Sequence, residues 1–183
     1  MREHVGIPAR QPNRAILGEL KMDREMRRRD RAMTRRDSER FLEQALVGRL
    51  GTSWRNEPYV VPLNFVYDAG KVYLHCSREG RKFVYLSKNP KISFEVDQLI
   101  RIRRSKKPCD FSAYYRSVIV AGEARVVKAV KAKRQVLQMF VRKYGKSKRK
   151  PSFGKEELER VEVVAITVQE ITGKQNLPGR TRT

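Results

Sequence analysis

A serine, a glycine and a lysine stand close together at Ser77, Gly80 and Lys82, after a predicted strand that ends at Cys76. A short helix is predicted to follow them. A hydroxyl group, free N–H groups at the positive end of a helix and an ammonium group are what a bound phosphate requires. A plain turn from loop to helix has the same residue types, so the string on its own leaves both interpretations open.

His75 is the one histidine in the central part of the chain, since the other is His4. An imidazole with an ordinary pKa near 6.5 can hydrogen-bond a ligand or transfer a proton, or it can be a partly buried structural side chain. Two histidines and the two cysteines, Cys76 and Cys109, give little material for a metal site, and none is predicted. Both cysteines are expected to be small, buried and reduced.

A predicted hairpin positions these residues. Residues 59–67 are β-branched and aromatic, Asp68-Ala69-Gly70 is typical of a tight turn, and residues 72–76 alternate apolar with polar side chains. Pro62 removes a backbone donor in the middle of the first strand. An edge position, or compensation by another group, would accommodate it.

The rest of the chain predicts an α+β, mainly β fold. Thr34 and Asp37 form a helix N-cap pattern, and Gly48 is the expected end of that helix. The remaining predicted elements are strands at 49–54, 92–96, 114–127 (with a bulge at Gly122) and 162–170, and helices at 83–87 and 129–144. Residues 99–107 form a basic loop or an extension of a hairpin. Six or seven strands with peripheral helices suit a small closed barrel.

Several segments, in this order and spacing, resemble the FMN-binding split-barrel family, the pyridoxamine 5′-phosphate oxidase-like proteins, and within it the nitroimidazole-resistance (Nim-type) branch. The segments are Gly48–Thr52, Pro58–Phe65, His75 with Ser77–Lys82, Asn89–Pro90, Cys109–Ser112 and Tyr115–Ile119. The resemblance covers roughly residues 26–174. Gly51 departs from the alanine that is usual in the Nim-type pattern.

The resemblance implies a split barrel that forms a homodimer with two FMN sites at the subunit interface. It implies that Arg49 and Thr52 help to hold the phosphate and ribityl chain, that the Pro62–Phe65 backbone lies against the flavin ring, and that His75 lies beside the ring. Arg116 and Ser117 would reach the flavin of the other subunit. The cofactor-binding residues expected on this basis are Arg49, Leu50, Gly51, Thr52, Pro62, Leu63, Asn64, Phe65, His75, Ser77, Gly80, Lys82, Arg116 and Ser117, with His75 also catalytic.

The function that the resemblance implies is FMN-dependent reduction of a small electron-poor substrate, such as a nitroaromatic compound, with a nicotinamide nucleotide as a candidate electron donor. A deazaflavin or haem in the same barrel is an alternative. A non-catalytic protein with a nucleic-acid-binding basic face is another, although residues 99–107 contain no aromatic side chain to stack on bases.

The composition sets the outer limits. The 183 residues carry a net charge of +22, and residues 101–150 contain 17 Lys and Arg against Asp110 and Glu123. Such a surface attracts polyanions at low salt. No apolar run approaches the roughly 18 residues of a membrane span, and no signal peptide is evident, so a cytoplasmic protein is expected. The predicted organisation is an arm at 1–30, one domain at 31–174 and a tail at 175–183.

Overall fold

Seven antiparallel strands form the sheet in the computed structural model, which describes residues 26–77, 79–145 and 152–179; the strand order is β2-β1-β5-β6-β7-β4-β3. The strands are β1 Val47–Trp54, β2 Glu57–Asn64, β3 Val66–Asp68, β4 Lys71–Cys76, β5 Lys91–Arg103, β6 Ser112–Val126 and β7 Glu162–Asn176. The helices are α1 Arg35–Gln44, α2 Arg81–Lys88, α3 Val130–Tyr144 and α4 Lys155–Arg160, with single 3₁₀ turns at Arg29–Arg31 and Pro108–Asp110. Most of the predicted arm and the basic loop at 146–150 lie outside the described residues.

The main apolar core lies between the strands because alternate side chains point inward, and a second, smaller cluster packs α3 and α4 against the sheet. Leu50, Phe94, Val118 and Ile166 are fully buried, and Phe94 packs edge-on against Phe65 with the ring centroids 4.8 Å apart. Each such side chain contributes roughly 1.5–3 kcal/mol of burial free energy. This core confirms the mainly β, seven-stranded interpretation.

Helix α1 covers one end of the barrel. Its predicted N-cap is confirmed, since the Thr34 hydroxyl accepts a hydrogen bond from the Asp37 N–H at 3.1 Å. The predicted helix end at Gly48 is wrong: α1 ends at Gln44 and Gly48 is already inside β1. A Cβ at Gly48 would lie 2.2 Å from the Phe94 ring, so glycine is required there by packing.

The two end strands of the sheet, β2 and β3, are separated in sequence by Phe65 alone, and this break is called the split. The single strand predicted over 59–67 is wrong, because β2 ends at Asn64 and β3 begins at Val66. The backbone at Phe65 is paired instead by Tyr144, whose hydroxyl accepts from the Phe65 N–H at 3.0 Å. That hydroxyl also lies 2.6 Å from the Phe65 carbonyl and 2.9 Å from the Leu46 carbonyl, to one of which it donates.

The strands of the second half are longer than predicted. β5 and β6 extend past the barrel as a hairpin. The hairpin alternative is therefore correct for residues 99–103, whereas residues 104–107 form the loop. The predicted bulge is confirmed by a shift in register between Ala121 and Gly122. β7 continues to Asn176, and α4 was not predicted. No helix in the described part of the chain is both long and apolar enough to cross a membrane.

Candidate functional site

The N-terminus of α2 is open to an anion. Gly80 is its N-cap residue, with φ +102, and it provides no side-chain hydrogen bond to the first turn. The first turn contains no acidic residue among those described and carries Lys82. The third and fourth N–H groups of the helix donate to the Gly80 carbonyl at 3.1 and 3.3 Å, so the first two remain to offer donors and positive charge together. Ser77 lies just before it, and its hydroxyl accepts from the Glu79 N–H at 3.2 Å.

His75 stands close to this helix end on the face of β4 that is turned towards α3. Its ring packs edge-on against Phe140 with 4.7 Å between centroids, while the residue as a whole stays exposed to solvent. Burial of the imidazole, and then the nearby Lys82 ammonium, lower the pKa of His75 below 6.5. The imidazole is therefore neutral at pH 7, and able to donate from one nitrogen and accept at the other.

Thr52 and Arg49, two predicted site residues of β1, face opposite sides of the sheet. Thr52 is buried on the inner side, and its hydroxyl donates to the Tyr59 carbonyl at 3.3 Å. The guanidinium of Arg81 lies 5.4 Å from the centroid of the Tyr59 ring, which brings the end of β1 next to the first turn of α2. Arg81 was not predicted as a site residue, although the adjacent Lys82 in the same basic pair was.

Arg49 lies on the outer side of the sheet, where it is already paired. Its guanidinium contacts the carboxylate of Asp97 and lies 3.5 Å from that of Glu95. Burial, and then the neighbouring Asp97, raise the pKa of Glu95 above its usual range, and Arg49 opposes this rise. The strand register sets Pro62 opposite Arg49 and Ser117 opposite Asp97, so these residues share one outer surface.

The segment Pro62–Phe65 forms the edge beside the split. β2 is the terminal strand of the sheet, so of the two alternatives for Pro62 the edge position is the correct one. Pro62 and Asn64 are exposed on the outer side, whereas Leu63 packs against the core and Phe65 is fully buried. Of the other predicted residues on β1, Leu50 is buried and Gly51 lies in the outer row next to Ser93.

Arg116 and Ser117 are neighbours in sequence but not in the site. Arg116 has the inward orientation of Val118, and it lines a cavity beneath α1. Ser117 points outward, opposite Asp97. The strict alternation of strand side chains allows only one of the two to face the outer surface, a rule that was readable from the sequence.

The two cysteines differ in their exposure to solvent. Cys76 is buried as expected, but Cys109 is exposed, so the prediction for Cys109 was wrong; Cys109 lies in the short 3₁₀ turn at the tip of the β5–β6 hairpin.

A cavity of about 520 Å³ lies between α3 and the sheet, beside Asp68, Tyr73 and Arg142. None of the predicted site residues lines it.

The family model described as pyridoxamine 5′-phosphate oxidase matches residues 34–175. The chain belongs to this family. Its split-barrel fold is that of the family's solved structures, and the resemblance that its motifs suggested is confirmed. No curated protein matches the chain.

Three solved structures show how far the similarity extends. A candidate 5-nitroimidazole antibiotic resistance protein from Bacteroides thetaiotaomicron is 26% identical, with a TM-score of 0.68 over 78% of this chain and 85% of that one. The flavocytochrome Anf3 from Azotobacter vinelandii is 22% identical, with a TM-score of 0.75 over 87% and 75%. An FAD- and haem-binding protein from Mycobacterium smegmatis is 17% identical, with a TM-score of 0.69 over 81% and 75%.

Proposed function

We propose that the protein binds FMN and is an oxidoreductase that reduces a small electron-poor substrate, such as a nitroaromatic compound. The observation that carries the proposal is the first turn of α2, where Lys82 and free N–H groups meet without an acidic residue. A cation near the positive end of a helix is unfavourable unless an anion is present. A phosphate group satisfies both the donors and the charge.

The family and its relatives support the choice of cofactor. The chain belongs to the pyridoxamine 5′-phosphate oxidase family, and the structures it resembles include a flavocytochrome and an FAD- and haem-binding protein. FMN supplies the electron-transfer chemistry, and a nicotinamide nucleotide is the proposed source of electrons. The likeness to the candidate nitroimidazole resistance protein supports the substrate class.

Each residue then has a stated part. Ser77, Gly80 and Lys82 hold the phosphate, and Thr52 keeps the neighbouring end of β1 against Tyr59. The exposed residues Pro62 and Asn64 would contact the ring system. His75, neutral at pH 7, hydrogen-bonds the ring or the substrate and can pass a proton to it.

We also propose a homodimer whose interface is the outer surface of β1, β2, β5 and β6. This surface exposes apolar side chains that a monomer leaves in water, since Val60 is 64% and Ile119 50% exposed. Arg49, Asp97 and Ser117 lie on the same surface. Light scattering should give twice the chain mass of 21.4 kDa, and a monomer that still binds FMN would contradict the proposed interface.

Substitution of Lys82 tests the phosphate assignment. Loss of one charge-assisted hydrogen bond removes roughly 1.5–3 kcal/mol, so Lys82→Ala should weaken FMN binding about ten- to a hundredfold. Riboflavin lacks the phosphate and should bind almost as well as before. Lys88→Ala, at the other end of the same helix, is the matched control and should leave both ligands unchanged. Equal weakening of FMN and riboflavin by Lys82→Ala would contradict the assignment.

A further inference from the structure

Arg116 has a buried donor with nothing to bind. Its Nε atom is buried and has no hydrogen-bond partner within the described part of the chain. The side chain points inward from β6, as Val118 does, so it is separated from the outer surface by its own strand. Buried polar groups in folded proteins almost always have a partner, and an arginine carries five donors in a planar fork. Within the described residues, the Arg116 guanidinium therefore lacks an acceptor for its buried Nε–H group.

An adjacent cavity has room for that acceptor. It measures about 250 Å³ and lies between α1 and the paired strands β6 and β7. Besides Arg116, its polar wall includes Arg40 and Gln44 from α1 and Gln175 from β7, and Gln175 is the direct cross-strand neighbour of Arg116. The apolar wall is formed by Met33, Phe41 and Leu177.

The charges around the cavity are not balanced. Two guanidinium groups, those of Arg40 and Arg116, face one carboxylate, that of Asp37. Asp37 is also held by α1, because it accepts a hydrogen bond from the Thr34 hydroxyl at 2.8 Å and lies 3.8 Å from Arg40. In the described part of the structure, no hydrogen bond or ion pair joins it to Arg116, so the cavity has an excess of positive charge and favours one further negative charge.

We propose that this cavity binds a small organic carboxylate, which Arg116 holds in a bidentate pair. A planar carboxylate matches the guanidinium fork, and the two glutamine amides can donate to its remaining lone pairs. The apolar wall accommodates a short alkyl or aromatic body, which a free phosphate does not have. The site is distinct from the proposed flavin surface, because it lies on the inner side of β6 and beneath α1.

Binding of simple acids to the full chain tests the proposal. Titrations with acetate, propionate, benzoate and inorganic phosphate at constant ionic strength should show saturable binding of the carboxylates, with millimolar or tighter dissociation constants. Arg116→Gln should weaken this binding about ten- to a hundredfold. Arg125→Gln removes an exposed arginine of the same strand and should have no effect. Arg116 is also one of the expected flavin-binding residues, so FMN titrations separate the two roles: an FMN affinity equal to wild type in Arg116→Gln supports the carboxylate site, and weakened FMN binding in this variant would overturn it.

A second substitution keeps the test valid if Arg116→Gln fails to fold. Gln175→Glu places a carboxylate next to Arg116 on the neighbouring strand, so it should raise the midpoint of thermal unfolding and abolish binding of added carboxylates. Three results would overturn the proposal: no saturable binding of any carboxylate, equal weakening in Arg125→Gln, or phosphate bound more tightly than every carboxylate. A fall in the thermal midpoint of Gln175→Glu with carboxylate binding retained would overturn it as well.

Discussion

Two lysines on α3 are buried in opposite circumstances. Lys133, in the first turn of the helix, donates to the Leu158 carbonyl, and its Nζ lies 3.8 Å from the Glu162 carboxylate. Lys143, in the last turn, has a buried Nζ with no hydrogen-bond partner among the described residues; it lies 4.1 Å from the centroid of the Phe65 ring. Burial lowers the pKa of Lys143 to about 8.

The difference shows what makes a buried charge acceptable. A carbonyl and a carboxylate replace the water that Lys133 loses, whereas aromatic faces replace only part of what Lys143 loses. Removal of the two ammonium groups should therefore change stability in opposite directions. Substitution of each lysine, with the free energy of unfolding as the readout, tests whether the two changes have opposite signs.

Lys133→Met should give the largest effect. It removes one member of a buried ion pair and leaves the Leu158 carbonyl without its donor, so the free energy of unfolding should fall by about 3 kcal/mol. Urea denaturation measures the change. Lys131→Met, at an exposed position of the same helix, is the control and should stay within about 0.5 kcal/mol of wild type. A destabilisation by Lys133→Met no greater than that of the control would show that the Lys133 ion pair does not stabilise the fold.

Lys143→Met should stabilise the protein. One pKa unit corresponds to about 1.4 kcal/mol, and water reaches part of the side chain, so a gain of about 1–2 kcal/mol at pH 7 is expected from a shift to about 8. The same denaturation experiment measures it. Destabilisation would mean that the attraction between the ammonium and the Phe65 ring outweighs its burial.

The pH dependence of Lys143→Met provides a sharper test. The folded pKa lies below the unfolded value of 10.5, so the unfolded chain binds more protons between pH 8 and pH 10.5. The Lys143 contribution to stability therefore rises with pH across this window. The advantage of Lys143→Met over wild type should shrink from pH 8 to pH 10.5. An advantage that stays constant would show that the ammonium is not desolvated in the folded state.

The exposed arginines of the β5–β6 hairpin should have the smallest effect on stability. Arg101 lies over the Tyr114 ring of the opposite strand, 5.0 Å from its centroid, so an aromatic group does accompany the basic segment. Arg101→Gln with Arg103→Gln should change the free energy of unfolding by about 0.5 kcal/mol or less. The variant should bind single-stranded DNA more weakly at low salt, with the log–log salt slope reduced by about 0.7 for each phosphate that the variant no longer neutralises. Lys88→Gln with Lys155→Gln controls for net charge, and an equal weakening in that variant would show that the hairpin has no special part.

Patterns within a short stretch of chain predicted much of the fold. The N-cap at Thr34, the bulge at Gly122 and the helix that ends at Tyr144 each depend on neighbouring residues and are confirmed. The break at Phe65 was not predictable in this way. It depends on a hydroxyl from Tyr144, and nothing in the β-branched run around Phe65 indicates that partner.

The candidate site was predictable only where the family motif supplied its residues. The order of Ser77, Gly80 and Lys82 predicted a phosphate site at the N-terminal end of α2. The contacts of Arg81 with Tyr59, of Phe140 with His75 and of Lys143 with Phe65 depend on tertiary packing, and local sequence does not predict them. Local sequence does not distinguish Lys143 from a solvated lysine on the same helix. Strand alternation alone would have separated Arg116 from Ser117.

The Tyr144 hydroxyl links parts of the chain that are far apart in sequence, since its partners at Phe65 and Leu46 precede it by 79 and 98 residues. Contacts of such long range require large loops to close, so we expect these hydrogen bonds to form late in folding. The Phe65 amide, which depends on one side chain instead of a neighbouring strand, is therefore a natural reporter of local opening. Its rate of hydrogen exchange would report the opening of the contact with Tyr144 separately from the opening of the strands on either side.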